Sequence, residues 1–129
     1  MYTYKAKLID VIDGDTVDLM IDLGFGVHVK ERCRLYGIDA PEMPSDAGKI
    51  AKAYLESLLN AATGELFVAT RKMTRKPKEK TDKYGRYLAV LYDDPYFIAE
   101  DEVESKIGMM PTSINARMVY HEYAKERYW

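Results

Sequence analysis

Cysteine is nearly absent from this chain. Cys33 stands alone among 129 residues, so no internal disulfide can form and a packed core must hold the fold. A lone cysteine inside an apolar strand reads as a small core residue rather than a nucleophile. Histidine is almost as scarce. His28 and His121 lie far apart, which argues against a metal site built on imidazole. A metal bound here would have oxygen ligands, which favours calcium, magnesium or manganese over zinc or copper. Long apolar runs are missing as well, and the opening residues Met1–Lys7 form neither a signal peptide nor a membrane span. The expectation is a soluble cytoplasmic protein with no membrane partner, or the mature form of a chain whose leader was removed.

Strong net charge is lacking too, at −2 near neutral pH, which by itself speaks weakly against a nucleic-acid partner. The average hides an asymmetry. Arg71–Arg86 carries eight basic residues against Glu79 and Asp82, whereas Asp93–Glu104 carries six acids and no base. A basic face of that kind steers a polyanion even on a slightly acidic molecule.

What is present is enough for one domain, residues 1–129, with nearly half its residues hydrophobic. Residues 4–12 read as a first strand, and Asp13-Gly14 as a turn. Residues 15–22 alternate, with Val17, Leu19 and Ile21 on one face and Thr16, Asp18, Met20 and Asp22 on the other. Leu23–Gly26 turns the chain into a third strand over 27–37. Pro41 and Pro44 stop the sheet, and Ser45 or Asp46 caps a helix running to about Leu59. Its apolar stripe is Ile50, Ala51, Tyr54, Leu55, Leu58 and Leu59. A fourth strand is expected over 65–75 and a fifth over Tyr87–Tyr92. Residues 93–111 read as an acidic insertion, and a last helix is expected over about 112–126, capped by Thr112 or Ser113. Three strands, a helix, two strands and a helix give an α+β chain of mainly β character. That is the layout of an OB-fold, a five-stranded Greek-key barrel with a helix between strands three and four.

The stretch Arg34-Leu-Tyr-Gly-Ile-Asp-Ala-Pro-Glu42 organises the rest. It puts a guanidinium, two carboxylates and a proline-fixed bend at one strand end. Phosphodiester chemistry needs that combination: a carboxylate for a metal, another for a water, an arginine for developing negative charge. Asp13 suits a turn that uses its local hydrogen bonding. Asp15 has the parity of Val17 and Leu19 and should point inward, where a carboxylate requires a cation or several donors. Pro41 biases Ala40 toward extended backbone, which can aim its carbonyl at a site. Arg34 shares parity with Arg32 and Tyr36, so pattern alone leaves both a solvent-face and a site arginine open. Arg86 likewise reads either as the end of the basic loop or as a site residue.

Taken together, Val11-Ile-Asp-Gly-Asp-Thr-Val17, Arg34–Glu42 and Thr81-Asp-Lys-Tyr-Gly-Arg86 closely resemble the three signature segments of the staphylococcal nuclease family, in the same order. A weaker echo runs from Ile114-Asn115-Ala116 to Tyr128. The resemblance implies an OB-fold nuclease that uses calcium to hydrolyse DNA and RNA with little sequence preference, breaking the 5′ P–O bond to leave 3′-phosphate ends. It implies calcium ligands at Asp15 and Asp39 and at the Ala40 carbonyl, a base or water-positioning role for Glu42, and transition-state contacts from Arg34 and Arg86. Lys83, Tyr84 and Tyr128 would contact the neighbouring nucleotide.

Three departures accompany it. Ala40 stands where the family usually has threonine, the loop after Glu42 is short, and residues 93–111 are inserted. The family also continues into another helix where this chain stops at Trp129. The resemblance therefore implies apolar surface for Tyr120, Tyr123, Tyr128 and Trp129, or for the partner in a homodimer, to cover. Two other readings compete: an OB-fold that holds single strands without cutting them, and a protein-interaction domain working through the acidic 93–104 segment. Asp15, Arg34, Asp39, Glu42 and Arg86 are all retained, which favours the enzyme.

Overall fold

The computed structural model describes residues 3–61, 65–70, 87–94 and 112–127. Five strands close into a barrel in the order β1-β2-β3-β6-β5. Strands β1 (Thr3–Asp13), β2 (Thr16–Gly24) and β3 (Val27–Leu35) form the antiparallel meander; β5 (Leu66–Thr70) and β6 (Tyr87–Tyr92) complete the wall. Helix α1 (Asp46–Ala61) lies between the third and fourth barrel strands, as expected for an OB-fold. A second sheet joins the two-residue strands β4 (Ile38–Asp39) and β7 (Lys125–Glu126), with helix α2 (Ile114–Tyr120) just before β7.

The period-two pattern of β2 does what it promised inward: Val17, Leu19 and Ile21 are buried, with Cys33 and Leu35 of β3 beside them. Outward it departs from expectation, because Asp18 is buried as well. Arg32, directly opposite in the β2–β3 register, lies over it and donates to both carboxylate oxygens at 2.8 and 3.1 Å. That pairing holds the Asp18 carboxyl below the usual carboxylate range.

Ser45 caps α1, its Oγ accepting from the Gly48 amide at 3.0 Å. Ala51, Leu55 and Leu59 form the buried stripe, with Tyr54 and Leu58 partly covered. Ile50, assigned to that stripe, is instead exposed.

Beyond β3 the chain turns at Gly37, whose φ is 81°. The expected strand to residue 37 therefore ends at Leu35 and restarts as β4. Asn115 locks this corner from α2. Its buried amide donates to the Tyr36 and Ala89 carbonyls at 2.9 and 3.0 Å and accepts from the Leu91 amide at 3.0 Å.

The last helix is shorter than its spacing predicts. It is capped by Ser113, whose Oγ accepts from the Ala116 amide. It ends at Tyr120 because Glu122 adopts φ 65°, and the Tyr123 and Ala124 amides fold back onto the Met118 carbonyl. Neither glycine nor proline marks that break. Among the aromatics assigned to cover this end, Tyr123 stacks on Tyr54 with centroids 4.0 Å apart, while Tyr120 stays exposed. The expected strand residues 71–75, the basic loop to Arg86, the insertion over 95–111, and Tyr128 and Trp129 lie outside the described residues.

Candidate active site

The site forms where the β1–β2 turn, the end of β3 and the β4 segment converge at one end of the barrel. Gly14 makes that convergence close. A Cβ at Gly14 would stand 2.7 Å from the Ala40 Cβ and 2.8 Å from the Ala51 Cβ, so only glycine lets the turn, the site loop and α1 meet.

Asp15 points inward, as its parity required, and is 7 % exposed. Its Oδ2 accepts from the Ala40 amide at 2.8 Å, and its Oδ1 accepts from the Thr16 hydroxyl at 3.1 Å. Arg34 is the larger surprise. Pattern left a solvent face open to it, yet it is only 3 % exposed. Its Nη1 donates to the Leu35 and Ile38 carbonyls at 3.0 and 2.9 Å. Its Nη2 lies 3.3 Å from Asp15 Oδ2 and 3.2 Å from Asp39 Oδ1. One guanidinium nitrogen thus sits beside both candidate metal-ligating carboxylates. Asp39 itself is about half exposed, its side chain 55 % accessible.

Glu42 lies three residues on, exposed, in the loop entering α1. Its backbone carbonyl accepts from Ser45 Oγ at 2.6 Å, so the helix cap also fixes the loop that carries it. Asp13 makes the expected turn bond, accepting from the Asp15 amide at 3.0 Å. It also does something that its reading as a turn residue missed: its carboxyl lies close enough to that of Asp15 to favour the protonated form of Asp15. The i, i+2 spacing across Gly14 is the sequence signal for this contact. Lys125 was missed too. The β4–β7 pairing sets it directly opposite Asp39. Arg86, Lys83, Tyr84 and Tyr128 lie outside the described residues. Cys33 is excluded as a nucleophile, since burial pushes its thiol up to about 12.

The donor chemistry suits a hard divalent cation. Among the described residues no three carboxylate, thiol or imidazole groups converge for a metal, but two carboxylates do. The rest of a cation's shell would come from carbonyl oxygen and water, as calcium accepts. Asp15 also has the electrostatic need. Burial first, then the Asp13 carboxyl, pushes its pKa up to about 6, against the lowering effect of the Ala40 amide and Arg34.

The sign of this shift gives a prediction. Between the unfolded value of 3.8 and about 6, the folded protein holds a proton on Asp15 that the unfolded chain has released. Without a divalent cation, this carboxyl makes stability fall as pH rises through that window. Asp18 and Asp93, lowered by Arg32 and Arg117, act in the opposite sense and below 3.8. Thermal denaturation in EDTA should show the Asp15 decline between pH 4 and about 6, and Asp15→Asn should abolish it. A wild-type profile that rises across this window would contradict the assignment.

Comparison with known proteins shows the family. Residues 32–128 match the family described as staphylococcal nuclease homologue. That span includes Arg34–Glu42 and Thr81–Arg86; Asp15 precedes it and joins the site through the fold. An uncharacterized protein of Bacillus anthracis is 31% identical over 114 residues, covering 84% of this chain and 48% of the relative. The chain spans about half the length of that curated relative. With the family matched over most of its length on a closed OB-type barrel, this chain belongs to the staphylococcal nuclease homologue family.

Proposed function

We propose that the protein is a calcium-dependent nuclease that hydrolyses DNA and RNA with low sequence specificity. The observation that carries this reading is Arg34, buried and held by two carbonyls, with Nη2 between Asp15 and Asp39. A guanidinium fixed before substrate arrives stabilises developing negative charge with little reorganisation.

Asp15, Asp39 and the Ala40 carbonyl would hold the cation. Bound there, it would offset phosphate charge and polarise the phosphoryl oxygen. Glu42 takes a proton from the attacking water, while Arg34 and Arg86 hydrogen-bond the phosphate oxygens as charge builds on them. Lys83 and Tyr84 contact a neighbouring phosphate and sugar, and Tyr128 borders the nucleotide. The water oxygen bonds to phosphorus and the P–O5′ bond breaks, the departing 5′ oxygen taking a proton from solvent, to leave a 3′-phosphate and a 5′-hydroxyl.

The test is end-group analysis. A 5′-labelled single-stranded oligonucleotide incubated with protein and calcium should give fragments ending in 3′-phosphate, extendable by a polymerase only after phosphatase treatment. Fragments ending in 3′-hydroxyl would contradict the chemistry. An intact but bound oligonucleotide would favour the alternative reading of a non-catalytic single-strand-binding OB-fold.

A further inference from the structure

Directly across the β4–β7 pair from Asp39 stands Lys125. Side chains of directly opposed strand residues share a face, with Cβ atoms about 4.5–5.5 Å apart. Lys125 is nevertheless not ion-paired with Asp39, whose carboxylate is engaged by Arg34 instead. It is exposed and has no ion-pair partner among the described residues. A cation is therefore held next to the phosphodiester site by backbone pairing rather than by a carboxylate of its own.

Beside it opens a cavity of about 360 Å³ between β4 and the turn after α2, lined by residues 39–41 and 122–125. That volume falls within the range of small-ligand pockets. One wall is apolar and rigid: Pro41 is fixed by its ring, and Tyr123 is stacked on Tyr54 at an interplanar angle of 17°. Glu122 adds a carboxylate, which can accept from the exocyclic amine of a base. Two of the lining residues, Asp39 and Ala40, also belong to the candidate cation site. The cavity thus borders the candidate cation site.

We propose that this cavity is a nucleotide subsite of a single-stranded substrate, one that adds Lys125, Pro41 and Tyr123 to the substrate-binding residues implied by the family resemblance. Lys125 receives the phosphate adjacent to the scissile one, and the attached base packs against Pro41 and Tyr123. The proposal deepens the nuclease reading and rests on it for the position of the scissile phosphate.

Two measurements test it. In the first, a fluorescein-labelled single-stranded oligonucleotide is titrated in EDTA across a salt series and followed by anisotropy. One lost phosphate contact lowers the magnitude of the slope of log K against log salt by about 0.7 for a single strand. Lys125→Gln should show that loss, Lys125→Arg should restore the slope, and Lys30→Gln, on β3 and not among the lining residues, should leave it unchanged. Tyr123→Ala should weaken binding about tenfold, with Tyr123→Phe retaining it. In the second, Lys125→Gln should lower calcium-dependent cleavage of an oligonucleotide about tenfold more than hydrolysis of bis(p-nitrophenyl) phosphate, a diester with no neighbouring nucleotide. An unchanged salt slope, or equal losses on both substrates, would overturn the subsite. Cleavage of neither substrate by the wild-type protein counts against the nuclease reading, and the salt slope then decides the subsite alone.

Discussion

Arg34→Gln is expected to lower phosphodiester cleavage by about 10³-fold or more, and to destabilise the fold at the same time. The rate effect follows from removing a fixed cationic donor from the place where negative charge develops. The stability effect follows from burial. Arg34 satisfies the Leu35 and Ile38 carbonyls and lies against Asp15, so its removal takes a donor from two carbonyls and the counter-charge from a buried carboxylate. Breaking a buried pair by deleting one partner costs about 3–5 kcal/mol. A solvent-face arginine would cost almost nothing when replaced, so denaturant unfolding separates the two positions that pattern left open. Activity measured well below the variant's melting temperature isolates the catalytic loss. A variant that keeps both stability and cleavage would remove Arg34 from the site.

Gly48→Ala is expected to act against the ordinary helix rule. In an exposed helix interior this change stabilises by about 1 kcal/mol. Gly48, in the first turn of α1, is buried against the loop that carries Glu42. A Cβ there would collide with the Glu42 carbonyl oxygen and stand 2.7 Å from its carbonyl carbon and 3.0 Å from the Met43 nitrogen. These are backbone atoms, so the loop or the helix must move. The expected result is a loss of about 1–3 kcal/mol. A fall in cleavage of about 10²-fold should accompany it, since a displacement near 1 Å of a positioned catalytic group has effects of that size. A melting temperature that rises on substitution would show that this contact is not tight.

These two residues mark where sequence reasoning stops. The barrel was legible because its signals are local: alternation in β2, glycine turns at Gly14 and Gly24, prolines that end the sheet, and Ser45 before an apolar stripe. Asp15 was legible for the same reason, since parity alone turns it inward. Alternation assigns a side chain to a face but does not say what covers that face. Arg34 leaves β3 on the outer side, then is enclosed because Gly37 turns the chain back and brings the Ile38 carbonyl and Asp39 around the guanidinium. Asp18 was hidden in the same way, beneath Arg32. Lys125 depended on α2 ending at a non-glycine residue with positive φ, for which helical spacing carries no signal. The influence of Asp13 on Asp15 needed the actual shape of the turn.

The fold also ties the end of β6 to α2. Arg117 of α2 donates to both oxygens of Asp93 at 2.7 and 2.9 Å and to the Thr112 carbonyl at 3.0 Å. One side chain thereby joins Asp93, just after β6, to Thr112, just before α2.

The proposed function requires this end of the barrel to cut phosphodiesters with the help of a divalent cation and Glu42. The most direct measurement is cleavage of plasmid and single-stranded DNA by the wild-type protein and by Glu42→Gln, each with calcium, magnesium or EDTA. The account expects wild-type cleavage in calcium, none in EDTA, and a loss of at least about 10²-fold in Glu42→Gln with binding to single strands retained. Cleavage that persists in EDTA, or a Glu42→Gln variant as active as the wild type, would contradict it.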